Sequence, residues 1–217
     1  MKYVLIVLLL AASINTFAQS SFGVKGGLTW GNIVGNDILK VEYRPGYTFG
    51  ALANRQLIGH ASLQTEINYT SKIYSYGKLR AIDENKNQLD YKIDRKSKNA
   101  YLEIPLLLKY TGKGEKLLPY FMIGGTYSKL LNAKSVIGPG TRTEKPGYTT
   151  VTSMYKGSDI GITAALGTDI VRKKSKIILE LRYTRGVIAM YKQSDNTRSR
   201  QPNIYNSSFS LTTGIRI

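Results

Sequence analysis

Leu63-Gln64-Thr65-Glu66-Ile67-Asn68-Tyr69-Thr70 puts Leu63, Thr65, Ile67 and Tyr69 on one side of an extended chain and Gln64, Glu66, Asn68 and Thr70 on the other. A period of two marks a strand with one apolar and one wet face. The pattern returns downstream. Ile177, Leu179, Leu181 and Tyr183 oppose Ile178, Glu180, Arg182 and Thr184, and Phe209, Leu211, Ile215 and Ile217 oppose Ser208, Ser210, Thr212 and Arg216. Between them, Ile160, Ile162, Ala164, Leu166 and Ile170 face away from Asp159, Gly161, Thr163, Gly167 and Asp169.

Working outward from these segments, eight stretches read as strands: Phe22 to Trp30, Gly46 to Gln56, Ala61 to Ile73, Asn99 to Tyr110, Pro119 to Leu131, Ser158 to Ile170, Lys176 to Val187 and Tyr205 to Ile217. Each is rich in Tyr, Leu, Ile, Val or Thr and bounded by Gly, Asn or Pro, and no helical periodicity interrupts them. Parity alone does not say whether the apolar side faces in or out. The connections do. Leu57 to His60, Thr111 to Leu118 and Val171 to Ser175 are short, whereas Gly31 to Pro45, Tyr74 to Lys98, Asn132 to Gly157 and Ile188 to Ile204 are long. One trimmed end and one elaborated end is the arrangement of an outer-membrane barrel, with tight periplasmic turns and long outer loops. The expected fold is therefore all-β, an eight-stranded antiparallel up-and-down transmembrane barrel with its oily side in lipid. The strand lengths, at roughly 9 to 13 residues, suit a tilted crossing of the bilayer.

The N-terminus reads as an address. Lys2 precedes an apolar run from Tyr3 to Ala12, and Thr16-Phe17-Ala18 before Gln19 has the small residues of a cleavage site. Residues 1–18 are expected to be a signal peptide and 19–217 a single barrel domain. The run is too short for a membrane-spanning helix, which needs roughly 20 residues. With no other such run, a closed barrel is the remaining way to satisfy the backbone in lipid.

Composition fits this architecture. Sixteen Tyr and 21 Gly are high for 217 residues. Tyr43, Tyr47, Tyr69, Tyr74, Tyr76, Tyr101, Tyr110, Tyr120, Tyr127, Tyr183, Tyr191 and Tyr205 fall mainly near strand ends, which suggests aromatic girdles at the two headgroup levels. Gly26, Gly50, Gly124, Gly125, Gly161, Gly167 and Gly214 would relieve crowding in a narrow lumen. That lumen would also receive charge. Glu66, Glu103, Lys109, Glu180, Arg182 and Arg216, joined by Lys25, Asp159 and Asp169, share the inward parity and are expected to pair as a polar plug.

Other chemistry finds little to stand on. The absence of cysteine excludes disulfides, thiolate metal sites, cysteine nucleophiles and a lipoprotein anchor. The one histidine, His60, lies in an expected periplasmic turn, so a Ser-His-Asp site at the outer rim or a His-based metal site lacks its central residue. No enzyme, cofactor or metal is expected. Thirty-one Lys and Arg against 14 Asp and Glu give +17, but no nucleic-acid motif accompanies them and Arg172-Lys173-Lys174-Ser175-Lys176 is the one dense cluster. Outer-membrane lipid and lipopolysaccharide phosphates are the natural counter-surface for this charge.

Tyr101-Leu102-Glu103-Ile104-Pro105-Leu106-Leu107-Leu108-Lys109-Tyr110, followed by Pro119-Tyr120-Phe121 with Gly124-Gly125, Asp159-Ile160-Gly161 with Gly167, and Glu180-Leu181-Arg182-Tyr183, resembles the PorT-like outer-membrane β-barrel proteins of Bacteroidota. The most specific part is the Leu-Glu-Ile-Pro-Leu-Leu-Leu-Lys-Tyr run. The resemblance implies an integral outer-membrane barrel, and its founding type is associated with secretion across that membrane and with gliding. Two functions follow as expectations. The first is a monomeric structural or interaction protein of the cell envelope, without catalysis, whose long loops bind envelope or secretion-complex proteins. The second is a soluble exported barrel that holds a small apolar ligand as lipocalins do, with Leu63, Ile67, Leu179 and Leu181 turned inward.

Overall fold

Every segment with alternating sequence forms a strand in the structure, a computed structural model that describes residues 20–35, 42–82, 88–138, 147–190 and 204–217. The leader expected over 1–18 lies outside the described residues. Nine strands are described: β1 (Ser20–Gly35), β2 (Glu42–Ile58), β3 (Ala61–Ile82), β4 (Gln88–Thr111), β5 (Leu117–Gly138), β6 (Gly147–Thr150), β7 (Ser158–Arg172), β8 (Ser175–Ala189) and β9 (Ile204–Arg216). All of their pairings are antiparallel. β1 pairs with both β2 and β9, and β4 with β5, so eight strands close in the order β1-β2-β3-β4-β5-β7-β8-β9. Closure removes the free edges that a hydrocarbon environment forbids.

The closed ring is also sheared. Pairing leads from Phe22 through Ala53, Thr65, Leu106, Gly125, Ile162, Arg185 and Ser207 back to β1 at Asn32, further along the strand than it began. Such a stagger requires tilted strands and sets an interior that eight strands fill with side chains. Parity then sorts the residues. Ile67 is 59% exposed and Leu181 51%, while their neighbours Glu66 and Glu180 are each 1% exposed. Leu28, Leu211, Leu181 and Leu166 are successive cross-strand partners on β1, β9, β8 and β7, and all four lie on the outside. This is a lipid-facing surface, and it overturns the soluble lipocalin-like alternative, which needs Leu63, Ile67, Leu179 and Leu181 inside.

The turn end is tight. A two-residue turn at Gly59-His60 joins β2 to β3 with Gly59 at φ 52°, and Lys173-Lys174 joins β7 to β8 with Lys173 at φ 45°. At the opposite end the strands outrun the expected segments. β3 reaches Ile82 and β4 starts at Gln88, still paired with each other, so most of the gap read as a loop from Tyr74 to Lys98 is a β-hairpin. Its sequence hid this because strands beyond the lipid need no apolar face. β5 likewise continues to Gly138 past the start of β7, and β6 pairs with the edge left over, Lys134 opposite Thr150 and Val136 opposite Tyr148. Among its described residues, the expected loop from Asn132 to Gly157 thus contains a strand and a 3-10 turn, Thr152–Met154.

Candidate functional site

Each charged side chain of the lumen arrives there by strand parity, and the closure of the ring brings together residues far apart in sequence. Glu66 of β3 is the hub. Arg182 of β8 grips it with both guanidinium arms, Nη1 donating to Oε2 at 2.9 Å and Nη2 to Oε1 at 2.7 Å. Lys25 of β1 stands between the two acids, 2.9 Å from Glu66 Oε2 and 3.1 Å from Glu180 Oε1. Gln64 and Asn68 flank Glu66 on its own strand and donate to it at 2.7 and 2.8 Å. Glu180 accepts in addition from the Tyr120 hydroxyl and lies 2.8 Å from Arg182 Nη2. Two acids and two bases neutralise one another where isolated charges would be costly.

Smaller groups lie above and below this hub. Towards the outer end, Lys72 meets Glu103 at 2.8 Å, and Thr70 donates to the other Glu103 oxygen at 2.8 Å. Towards the turn end, Asp169 takes both Lys109, at 2.8 Å, and Arg216. Lys109 also lies over the Tyr120 ring, 3.6 Å from its centroid, a cation–π contact in a desolvated setting. The structure therefore places all six sequence-derived residues, Glu66, Glu103, Lys109, Glu180, Arg182 and Arg216, inside the barrel, together with Lys25 and Asp169. Asp159 is also on the inner side, where it accepts the Ile188 N–H at 3.2 Å. Lys72 was not among the expected residues although it shares the parity of Glu66 and Thr70. The Tyr120 hydroxyl is a second addition.

Apolar side chains complete the filling. Leu52, Leu107, Tyr120, Met122, Ala165 and Ile178 form one buried cluster. A second, near the outer mouth, gathers Ile33, Tyr74, Tyr101, Leu130, Ala133, Val151, Tyr155, Met190 and Ile204. The segment after β6 contributes to it directly: Val151 N–H donates to the Ala133 carbonyl, and the Tyr155 hydroxyl lies 3.2 Å from Ser97 Oγ. Tyr74, Tyr101 and Tyr120 are thus lumen residues and not members of a girdle, because each falls on the inward register of its strand. Tyr47, Tyr69, Tyr110, Tyr127 and Tyr183 do face outward, with Tyr47, Phe49 and Tyr69 stacked on one another. The side chains of Tyr43, Tyr76 and Tyr191 lie outside those described. Among the glycines, Gly167 makes room for the Tyr120 ring, which a Cβ there would overlap. Gly26 and Gly125 face outward, so their expected role of relieving lumen crowding does not hold for them.

The tube is filled at its centre by ion pairs and at its outer mouth by aromatic and aliphatic side chains. His60 is exposed in the β2–β3 turn, its ring 5.9 Å from that of Tyr110. No group of three or more metal-ligating side chains occurs among the described residues.

Residues 17–192 match the family described as outer membrane protein beta-barrel domain. No curated protein matches the chain. Among solved structures it is similar to the outer membrane protein OprG of Pseudomonas aeruginosa, at 11% identity over 92% of this chain and 96% of that one, with a TM-score of 0.47. It is also similar to the attachment invasion locus protein Ail of Yersinia pestis in complex with the heparin analogue sucrose octasulfate, at 9% identity over 92% and 99% with a TM-score of 0.44. The outer membrane protease OmpT of Escherichia coli is a further match, at 12% identity over 93% and 97% with a TM-score of 0.37.

Proposed function

We propose that this chain, which belongs to the outer membrane protein β-barrel family, is a monomeric structural or interaction protein of the cell envelope that works through its outer extensions and performs no catalysis. The observation that carries this reading is the contrast between a filled tube and an elongated outer end. The β3–β4 ladder continues from Ile73 to Ile82, which adds roughly 30 Å of hairpin at about 3.3 Å per residue beyond Ile73. A projecting hairpin on a rigid scaffold is where recognition is expected. Glu66, Glu103, Asp169 and Glu180 are each engaged by a cation, which favours a structural over an acid-base role for these carboxylates.

Two partner classes belong to the proposal. Lys98 and Lys134 lie directly opposite each other on β4 and β5, both exposed, just past the outward Leu131. Like charges at paired positions repel, and lipopolysaccharide phosphates at that level would offset the repulsion. The PorT-like resemblance of the Tyr101-to-Tyr110 run adds a secretion complex of the Bacteroidota type as the protein partner. The domain reading, a leader over 1–18 removed to leave a barrel from Gln19, is part of the same proposal.

Deleting Asp83 to Asp90 tests the hairpin. The shortened chain is expected to insert and keep its heat-modifiable mobility in the outer-membrane fraction, while losing most of the protein that crosslinks to the full-length barrel in intact cells. An unchanged set of crosslinked proteins contradicts recognition by this hairpin.

A further inference from the structure

The turn end of the barrel holds a hollow of about 480 Å³ whose wall includes Lys113, Lys176 and Arg216 but no acidic side chain. Asn54, Ser62 and Thr111 add amide and hydroxyl donors. A second hollow, about 160 Å³, shares Lys176 and Arg216 with the first and is lined also by Lys173 and Lys174. The cluster Arg172-Lys173-Lys174-Ser175-Lys176, which the lumen network leaves unused, therefore borders a cavity. We propose that this mouth is a binding site for a phosphate-type anion, free or carried on a lipid headgroup, on the periplasmic side of the membrane.

Three observations support the assignment. Beneath the hollow the one buried acid, Asp169, is shared by two bases, Lys109 and Arg216, so the floor keeps a positive excess to which Lys113 and Lys176 add. Nη2 of Arg216 is used on Asp169, while its Nη1 has no hydrogen-bond acceptor among the described residues. A cleft walled by one sign of charge concentrates counter-ions, and charge-assisted bonds from Lys and Arg suit phosphate oxygens. Glu115, exposed in the β4–β5 connection, is the acidic residue of the described turns and does not line either hollow.

The third observation is backbone strain. Both two-residue turns at this end require a left-handed residue, and the β2–β3 turn uses Gly59 at φ 52°. The β7–β8 turn instead carries Lys173 at φ 45°. A side chain is disfavoured in that region, where glycine would be free of strain. Keeping a lysine there fits a need for its charge beside the hollow.

The test uses the mature chain refolded in zwitterionic bicelles, titrated with inorganic pyrophosphate and, separately, with phosphatidylglycerol added to the bicelles, and followed by amide chemical shifts. Saturable shifts are expected at 20–21, 54–62, 111–118 and 171–176. Pyrophosphate producing them identifies a free anion as ligand; phosphatidylglycerol alone producing them identifies the headgroup, and either supports the site. The Lys113→Gln/Lys176→Gln variant should weaken binding at least tenfold with heat-modifiability intact. Lys173→Gly should raise the unfolding midpoint yet weaken binding, opposite signs that a merely structural lysine would not give. Lys98→Gln/Lys134→Gln, at the other end, should leave these shifts unchanged. Absence of saturable shifts with both probes, shifts undiminished in the turn-end variants, or an equal loss in the Lys98/Lys134 variant would overturn the proposal.

Discussion

Glu66→Ala is expected to destabilise the barrel by about 3–5 kcal/mol, the range for removing one partner from a buried ion-pair group. The lost carboxylate accepts from Lys25, both arms of Arg182, Gln64 and Asn68, so its removal leaves Arg182 and Lys25 to share Glu180. Glu180→Ala should cost less, because Glu66 then still contacts both bases and keeps its two amide donors. Combining Glu66→Gln with Arg182→Met removes one acid and one base and leaves the Lys25–Glu180 pair intact, so the double variant should lose less than the two single changes added together. Urea unfolding of the refolded barrel in detergent or bilayers, read by heat-modifiable mobility and tryptophan fluorescence, measures all five variants. A cost below about 1 kcal/mol for Glu66→Ala, which is the range for exposed pairs, would mean that water reaches the hub freely.

On the outer surface the largest effect should come from Leu181→Arg, with a loss of about 2–4 kcal/mol, as found for a cation near the bilayer midplane on the lipid face of a barrel. Leu181 lies between Leu166 and Leu211 across its neighbouring strands and is half exposed to lipid. Arg182, one residue along, is already a charge but points inward to Glu66 and Glu180. The same cation therefore stabilises or destabilises according to parity alone. Val187→Arg, nearer the outer end of β8, should cost at most about 1 kcal/mol, because a cation close to the headgroups stays hydrated. Equal costs at the two positions would contradict a lipid-facing band with a depth profile.

Alternation in a handful of segments was enough to place the eight barrel strands and to group the lumen charges on one face, because a side chain on a strand has two directions to choose from, and the short and long connections then decided which face is inside. Lys72 is equally legible, two residues beyond Thr70 on the same face. Tyr74, Tyr101 and Tyr120 lie near the ends of the expected strands, as girdle residues do, but counting parity from Lys72, Glu103 and Met122 turns each inward. The length of the β3–β4 hairpin was not legible, since above the lipid neither face of a strand has to be apolar. The same holds for β6, whose position follows from β5 outrunning β7 and from no pattern in Gly147–Thr150 itself. Which residues surround the turn-end hollow is a property of ring closure, which sets Arg216 of β9 beside Lys113 and Lys176.

The fold depends on oily side chains meeting lipid while the ionised ones meet each other. Because the chain has no cysteine, single-cysteine variants labelled with an environment-sensitive fluorophore can report this position by position in bilayers containing brominated lipid. Labels at Ile67, Leu181 and Leu211 should be strongly quenched, and labels at Ser62, Asn68 and Thr212 should be spared. Quenching of the second set with protection of the first would reverse inside and outside, and the membrane barrel described above would be wrong.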